Sequence, residues 1–198
     1  MGITGSTTAM ADNIHGALLP SGSNGGALSF VSKHQDSPHD LTSPSFASGW
    51  RAPMVQKQLV RLRNGDAPAI LGEVWAAHEG EQVKFVAWDW LSLSELQKLA
   101  TGLGPTTCAG LCECYSSNYE AWCGGLPDLL LWKDNGKEKD RANSDHMQGG
   151  YEVALVEVKG PNDSLSCRQR AWIDNLVRWS RVEGSMHVTV CYVAHANC

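Results

Sequence analysis

The chain has 198 residues, with 16 Lys and Arg against 21 Asp and Glu, for a formal charge of −5 at pH 7. That balance excludes a global attraction to nucleic acid, so a nucleic-acid partner would need a local basic surface or a bound cation. An apolar content of 42% suffices for one domain with a tail, and no run of about 18 apolar residues exists to cross a membrane.

Residues 1–37 are rich in Gly, Ser, Thr and Ala, and they read as a disordered or doubtful tail ahead of a domain over 38–198. They lack the basic start and apolar core of a secretory signal, and the first forty residues hold a single Lys and no Arg, so no export is expected. The seven Cys are odd in number and read as reduced thiols. Cys108, Cys112, Cys114 and Cys123 cluster, but they offer one Cys-x-Cys pair and no CxxC knuckle. Buried structural thiols are expected there rather than zinc ligands.

From Pro38 the texture changes. Pro53 suits the start of a helix over 54–63, with Val55, Leu59 and Leu62 on one face and Gly65 as its stop. A second helix is expected from Pro68 to about His78, with Leu71, Val74 and Trp75 facing inward. Lys84 to Trp88 is a short strand candidate. Ser92 or Ser94 can cap a helix through Leu99, ended by Gly102 and Gly104. Thr106 or Thr107 can open one helix to about Trp122, ended by Gly124-Gly125. Leu129 to Trp132 reads as a strand. The polar stretch from Lys133 to Gly150, with its Asn135-Gly136 turn signal, reads as a surface loop. Tyr151 to Lys159 is the central strand. Asp163, Ser164 or Ser166 can cap a helix through about Arg181, whose Leu165, Trp172, Ile173, Leu176, Val177 and Trp179 follow a 3.6 period. His187 to Ala194 is a last strand. The C-terminal half therefore runs helix–β–β–α–β, an α/β layer arrangement.

Side chains alternate along a strand, so Glu157 and Lys159 project to one side, roughly 6–7 Å apart, while Val156 and Val158 face the other. Two charges at the end of a buried strand are costly unless they serve something. Asp128 follows Pro127 at the start of the preceding strand, and neighbouring strands can bring it beside Glu157. Two convergent carboxylates suit a hard divalent cation, Mg²⁺ or Mn²⁺, and the Val158 carbonyl can complete part of its shell. Lys159 can then hold an attacking water and stabilise developing charge. By residue type this is metal-assisted phosphodiester hydrolysis; the plain alternative is a strand-end salt bridge.

The stretch from Gly124 through Leu126-Pro127-Asp128 to Trp132, followed by Val156-Glu157-Val158-Lys159-Gly160-Pro161-Asn162-Asp163-x-Leu165-Ser166-x-x-Gln169-x-x-Trp172, resembles the virus-type replication-repair nuclease domain. That domain is a branch of the PD-(D/E)xK, restriction-endonuclease-like superfamily. Trp88-Asp89, Gly102 to Gly104, Leu111-Cys112, Tyr119, Asp40-Leu41, Ser45-Phe46 and Arg51-x-Pro53 are similar to the C-terminal nuclease domain of the Fanconi-associated nucleases. The resemblance covers roughly 38–198. It implies a restriction-endonuclease-like α/β core, a small mixed sheet flanked by helices. It further implies a nuclear, structure-selective DNA nuclease of interstrand-crosslink repair. Such an enzyme cuts branched and 5′-flap DNA, degrades from 5′ ends, and leaves 5′-phosphate and 3′-hydroxyl ends. Asp128, Glu157 and the Val158 carbonyl are implied to bind metal, and Lys159 to be catalytic. Repair-complex proteins are allowed as partners, although the regions that would dock them are absent from this sequence, and no membrane partner is expected.

Two positions depart from the family pattern. Its further metal-binding Glu, in a Pro-x-Leu-Glu-x-x-Leu setting, is matched by Gln56 in Pro53-Met54-Val55-Gln56-Lys57-Gln58-Leu59, which offers one amide oxygen and no charge. Ser164 stands where a basic residue is common. The long N-terminal regions of that family are not in this sequence, which reads as a fragment, an incomplete gene model or a reduced paralogue. A second function is therefore carried alongside, a catalytically weakened DNA-junction-binding module. Gln169 reads both as the end of a capping box begun by Ser166 and as a DNA contact. Arg168 and Arg170, with Lys57, Arg61 and Arg63, read as phosphate contacts or as solvated helix faces. Glu79 is a reserve ligand should Gln56 fail, the Trp residues are expected in the core, and His187 and His195 receive no role.

Overall fold

The computed structural model describes residues 40–134 and 151–194, apart from Pro44, Gln82, Lys84, Phe85 and Ser185. The expected tail over 1–37, most of the loop before Gly150, and His195 lie outside the described residues.

The chain enters with two helical arms on either side of a turn at Gly65. Helix α1 (Ala52–Arg63) carries Pro in its first turn, buries Val55, Leu59 and Leu62, and stops at Asn64, before the positive-φ Gly65. Helix α2 (Ala67–His78) turns Ala67 and Ile70 fully inward. Leu71 and Val74 lie at the edge of the core. Arg61 of α1 reaches Glu73 of α2 with two hydrogen bonds of 2.9 and 2.6 Å, tying the arms together.

Helix α3 (Leu93–Leu103) opens on a capping box in which the Ser92 hydroxyl takes the Glu95 N–H and the Glu95 carboxylate takes the Ser92 N–H. It runs through Gly102, which was expected to end it. A Cβ at Gly102 would overlap the Tyr151 carbonyl oxygen and Val153, so this glycine serves helix-to-sheet approach and Gly104 alone is the terminator. Helix α4 (Pro105–Ser117) stops well before Trp122. The Asn118 side chain takes the Ala121 N–H and starts a separate turn, α5 (Tyr119–Trp122), so the single helix expected over 106–122 is broken by a local Asx cap. The strand expected at Lys84–Trp88 is not formed over its described residues. Turn hydrogen bonds run from Val86 N–H to the Val83 carbonyl and from Trp90 N–H to the Ala87 carbonyl. Trp88 packs edge-on against Trp75 at 5.2 Å.

The sheet follows: β1 (Leu129–Asp134), β2 (Tyr151–Lys159) and, after helix α6 (Cys167–Glu183), β3 (Met186–Tyr192). Its order is β1-β2-β3, with β1 antiparallel and β3 parallel to β2. The β2–α6–β3 unit needs a helical crossover because parallel strands cannot be joined by a tight turn. Strand β2 is central and its residues are mostly buried, the pattern of a strand covered on both faces. Trp172 and Leu176 of α6, Leu99 and Leu103 of α3, and Val153 of β2 form the middle of a core that unites the helices with the sheet. Among the described residues no helix is long and apolar enough to cross a membrane.

Candidate active site

The site forms where β2 runs out of its pairing with β1. The register sets Leu130 against Leu155 and Leu129 against Val156, so the next residue outward, Asp128, falls opposite Glu157. Pro127 is buried and anchors the turn, while Asp128 is exposed. The Asp128 Oδ2 atom accepts the Val158 N–H at 2.8 Å, replacing the strand partner that β1 no longer supplies. N–H and C=O of one strand residue point to the same flank. The Val158 carbonyl therefore faces the edge where Asp128 sits.

Glu157 and Lys159 are 1% and 4% exposed. Lys159 Nζ lies 2.9 Å from Glu157 Oε1, so the strand-end salt bridge foreseen as the plain alternative does form. It is more than a pair. Lys159 Nζ also donates to Gln169 Oε1 at 3.1 Å and to Asp163 Oδ2 at 3.3 Å. Gln169 Nε2 donates to the same Glu157 oxygen, and Gln169 Oε1 takes the Ser166 N–H at 2.9 Å. Gln169 is thus both the partner of the Ser166 capping box and a clamp on both charges. The hydrogen bond to Glu157, joined by that to Asp163, holds the Lys159 ammonium above the ordinary lysine range against its desolvation.

One atom of this network is left over. Glu157 Oε2 is buried without a hydrogen-bond partner. An orphaned carboxylate oxygen is costly, and a cation would relieve it. Asp128, Glu157 and the Val158 carbonyl are all hard oxygen donors, so the residues fit a Mg²⁺- or Mn²⁺-type ion by chemistry. Among the described residues no third carboxylate, histidine or cysteine side chain joins them. Gln56 is exposed on α1, and no hydrogen bond ties it to Asp128 or Glu157. Glu79 is exposed at the end of α2.

The basic residues divide into two groups. Arg61 is matched by Glu73, with Asp66 at 3.6 Å, and Arg63 by Glu113 at 2.6 Å, while Lys57 is exposed. Arg168 and Arg170 are exposed at the start of α6, beside the Lys159–Gln169 clamp, and Arg170 Nε donates to the Leu165 carbonyl. Arg168 lies across Gly124 and Gly125. At Gly125, with φ of +89°, a Cβ would sit 3.0 Å from Arg168 Cγ and 3.1 Å from Gln169 N. Trp172 Nε1 donates to the Gly124 carbonyl at 3.1 Å, fixing the turn that delivers Asp128. In the sequence these two glycines mark a helix end and Trp172 a core position, all three within the stretch that carries the family resemblance, but no pattern there shows that they meet. By sequence Asp163 is a candidate helix cap and a member of the resemblance motif; the one signal for its contact with Lys159 is the Gly-Pro after the strand, which marks a chain reversal.

Comparison with known proteins gives the family and the fold. Residues 62–195 match the family model described as the VRR-NUC domain. The chain is 37% identical over 144 residues to the Fanconi-associated nuclease 1 homolog of Oryza sativa subsp. japonica, covering 73% of this chain and 14% of that protein. It is 33% identical over 168 residues to the Fanconi-associated nuclease 1 of Ailuropoda melanoleuca, covering 83% of this chain and again 14% of the relative. The chain thus spans about one seventh of the length of these relatives. A solved structure of paFAN1 bound to 2nt 5′-flap DNA with gap superposes with a TM-score of 0.64 at 23% identity, covering 96% of this chain and 32% of that one. That likeness is one of fold, and the fold is the small mixed sheet flanked by helices expected of a restriction-endonuclease-like core.

Proposed function

The chain belongs to the VRR-NUC family, and from that premise we propose that it is a divalent-cation-dependent, structure-selective DNA nuclease that cuts 5′-flap and branched DNA and degrades from 5′ ends. The observation that carries the reading is the buried Glu157, with one oxygen clamped by Lys159 and Gln169 and the other without a partner, at a strand end that Asp128 completes. Asp128, Glu157 and the Val158 carbonyl would hold Mg²⁺ or Mn²⁺. When bound, such an ion supplies Lewis-acid polarisation of a phosphoryl oxygen and a more acidic water.

The remaining chemistry belongs to the chain. Lys159 brings a fixed positive charge to the place where negative charge develops on the phosphate, and its burial keeps that charge from being screened. Gln169 orients both Glu157 and Lys159 from the capped first turn of α6, a more rigid base than a loop. Arg168 and Arg170 hold phosphates beside the site, and Lys57 and Arg61 do so from α1, Arg61 only by exchanging Glu73 for DNA. The resemblance supports a role in interstrand-crosslink repair in the nucleus, alongside repair-complex proteins.

One observation favours a second reading. The neutral Gln56 stands at the family's further ligand position, which suits a weakened enzyme that retains branched DNA without cutting it. The two separate cleanly. Asp128→Ala, Glu157→Ala and Lys159→Ala are each expected to abolish cleavage of a labelled 5′-flap duplex in Mn²⁺, with binding of the duplex kept. Full activity in all three variants sinks the assignment. Duplex binding with no product from the unaltered chain, and no Mn²⁺ heat by calorimetry, selects the binding module.

A further inference from the structure

An ammonium group has three N–H donors and no acceptor. At Lys159 all three are engaged: by Glu157 Oε1 at 2.9 Å, Gln169 Oε1 at 3.1 Å and Asp163 Oδ2 at 3.3 Å. Nothing remains for a water or a phosphate oxygen, so Lys159 can act only after one acceptor lets go.

The three acceptors are not equivalent. Glu157 and Gln169 belong to one closed ring, because Gln169 Nε2 donates to the Glu157 oxygen that also takes Lys159 Nζ. Asp163 stands outside that ring and is anchored by its own backbone. The Gly160–Asp163 segment is a β-turn, closed by the Asp163 N–H on the Gly160 carbonyl at 3.2 Å, with Pro161 at the position where its fixed φ is favoured. The other Asp163 oxygen, Oδ1, takes the Ser164 N–H at 2.7 Å, which fixes the carboxylate's rotation. The turn thus returns a carboxylate, four residues on, to the lysine that ended the strand.

We propose that Asp163 is a positioning residue for Lys159: with Gln169 it holds the ammonium in place, so that the hydrogen now shared with Glu157 Oε1 can turn to the nucleophile once Glu157 shares its charge with a cation through Oε2. The proposal rests on the nuclease reading only for the last clause; the holding role is a property of the chain alone. Its reason lies in charge. When Glu157 shares its negative charge with a cation through Oε2, the hold of Oε1 on Lys159 weakens inside a buried site. Asp163 then keeps the ammonium neutralised and stops it from withdrawing along its flexible stem.

Asp163→Asn is the informative change. An asparagine oxygen still accepts the Ser164 N–H and keeps the turn, but its amide group cannot accept from Lys159. The expected result is a kcat lower by roughly 10- to 100-fold on the 5′-flap duplex, with KM unchanged, as for loss of an outer supporting group. Asp163→Glu is expected to recover part of the rate. In parallel, the ¹⁵N-labelled Lys159 side-chain ammonium of the cation-free protein is followed by NMR. Its signal is expected to be sharp and slow to exchange in the unaltered chain, and broadened in Asp163→Asn, with backbone amide shifts elsewhere kept. An unchanged ammonium signal and rate in Asp163→Asn overturn the proposal. So does a faster rate, which would make Asp163 a brake. Should the unaltered chain cut no DNA, the nuclease reading fails, while the NMR comparison still decides whether Asp163 holds Lys159.

Discussion

In the proposed cation site, Gln56 is the residue that departs from the family pattern. Glutamine and glutamate have the same shape, so Gln56→Glu changes charge at an exposed helical position without disturbing the α1 face that buries Val55, Leu59 and Leu62. If position 56 reaches the cation as the family pattern has it, a carboxylate adds a charged oxygen where the amide offers a neutral one. The expected outcome is a Mn²⁺ affinity raised by roughly tenfold or more, read by calorimetry, together with faster flap cleavage. Equal affinity in both proteins means that the amide oxygen suffices or that position 56 stands clear of the ion. At this scale much of the site was legible. A period of two put Glu157 and Lys159 on one face, and Pro-Asp before a strand supplied Asp128. The roles of Asp163 and Gly125 were not legible. Both follow from how two turns fold back onto the strand end and onto α6, and no periodicity records a contact made across a turn.

Helix α6 joins the site to the molecular surface. Its inner face buries Trp172 and Leu176. On the outer face, positions 170, 174, 178 and 181 share one side by helical spacing, and all four are exposed. Three of them are arginines, with Asp174 among them. Among the described residues no carboxylate lies within ion-pair distance of Arg168, Arg170, Arg178 or Arg181, whereas Arg51, Arg61 and Arg63 are all matched by acids. The stripe from Arg170 to Arg181 spans roughly 16 Å at a helical rise of about 1.5 Å per residue. A chain of net charge −5 thus concentrates unmatched positive charge on the element that also carries Gln169. Removing a phosphate contact lowers the salt slope of binding by about one. Arg178→Gln and Arg181→Gln, measured by anisotropy on a flap duplex without divalent cation, are each expected to do so, with kcat at saturating DNA unchanged. An unaltered slope in the double variant would assign the stripe to plain solvation. Element types followed the sequence pattern closely, because amphipathic helices and an apolar central strand declare themselves. Two of the misreadings sit where a single residue overrode the pattern, as Asn118 does in capping α5 and as Gly102 does in admitting the Tyr151 carbonyl.

Across the whole molecule, stability depends on a helical layer pressed onto a three-stranded sheet, and two thiols lie buried in the core on the helical side. Cys108 and Cys112, four residues apart on α4, are each 1% exposed. Burial pushes the Cys108 thiol from its ordinary 9.0 up to about 12, with the nearby Glu183 carboxylate adding to the shift, and burial raises Cys112 well above the ordinary range as well. These positions favour the neutral thiol, and zinc would require thiolates. The raised values also set a pH dependence. A group whose folded pKa lies above its unfolded value contributes its full stability below the unfolded pKa and loses it as pH rises toward the folded one. Here the window opens near 9 and extends to about 12. Within it the unfolded chain releases protons that the folded chain retains, at about 1.4 kcal/mol per pH unit for each such thiol. Urea midpoints measured at pH 8 and pH 10.5 are therefore expected to fall with pH. Lysines that gain partners on folding, Lys98 and Lys159 among them, contribute in the same direction, so the slope of the unaltered chain is not diagnostic alone. The diagnostic quantity is the difference in slope between the unaltered chain and Cys108→Ala. Alanine leaves a small void that lowers stability at every pH alike, and it removes the titrating group. A shallower fall in the variant assigns the alkaline sensitivity to the buried thiol, and parallel slopes would show that the Cys108 proton is not retained in the folded state.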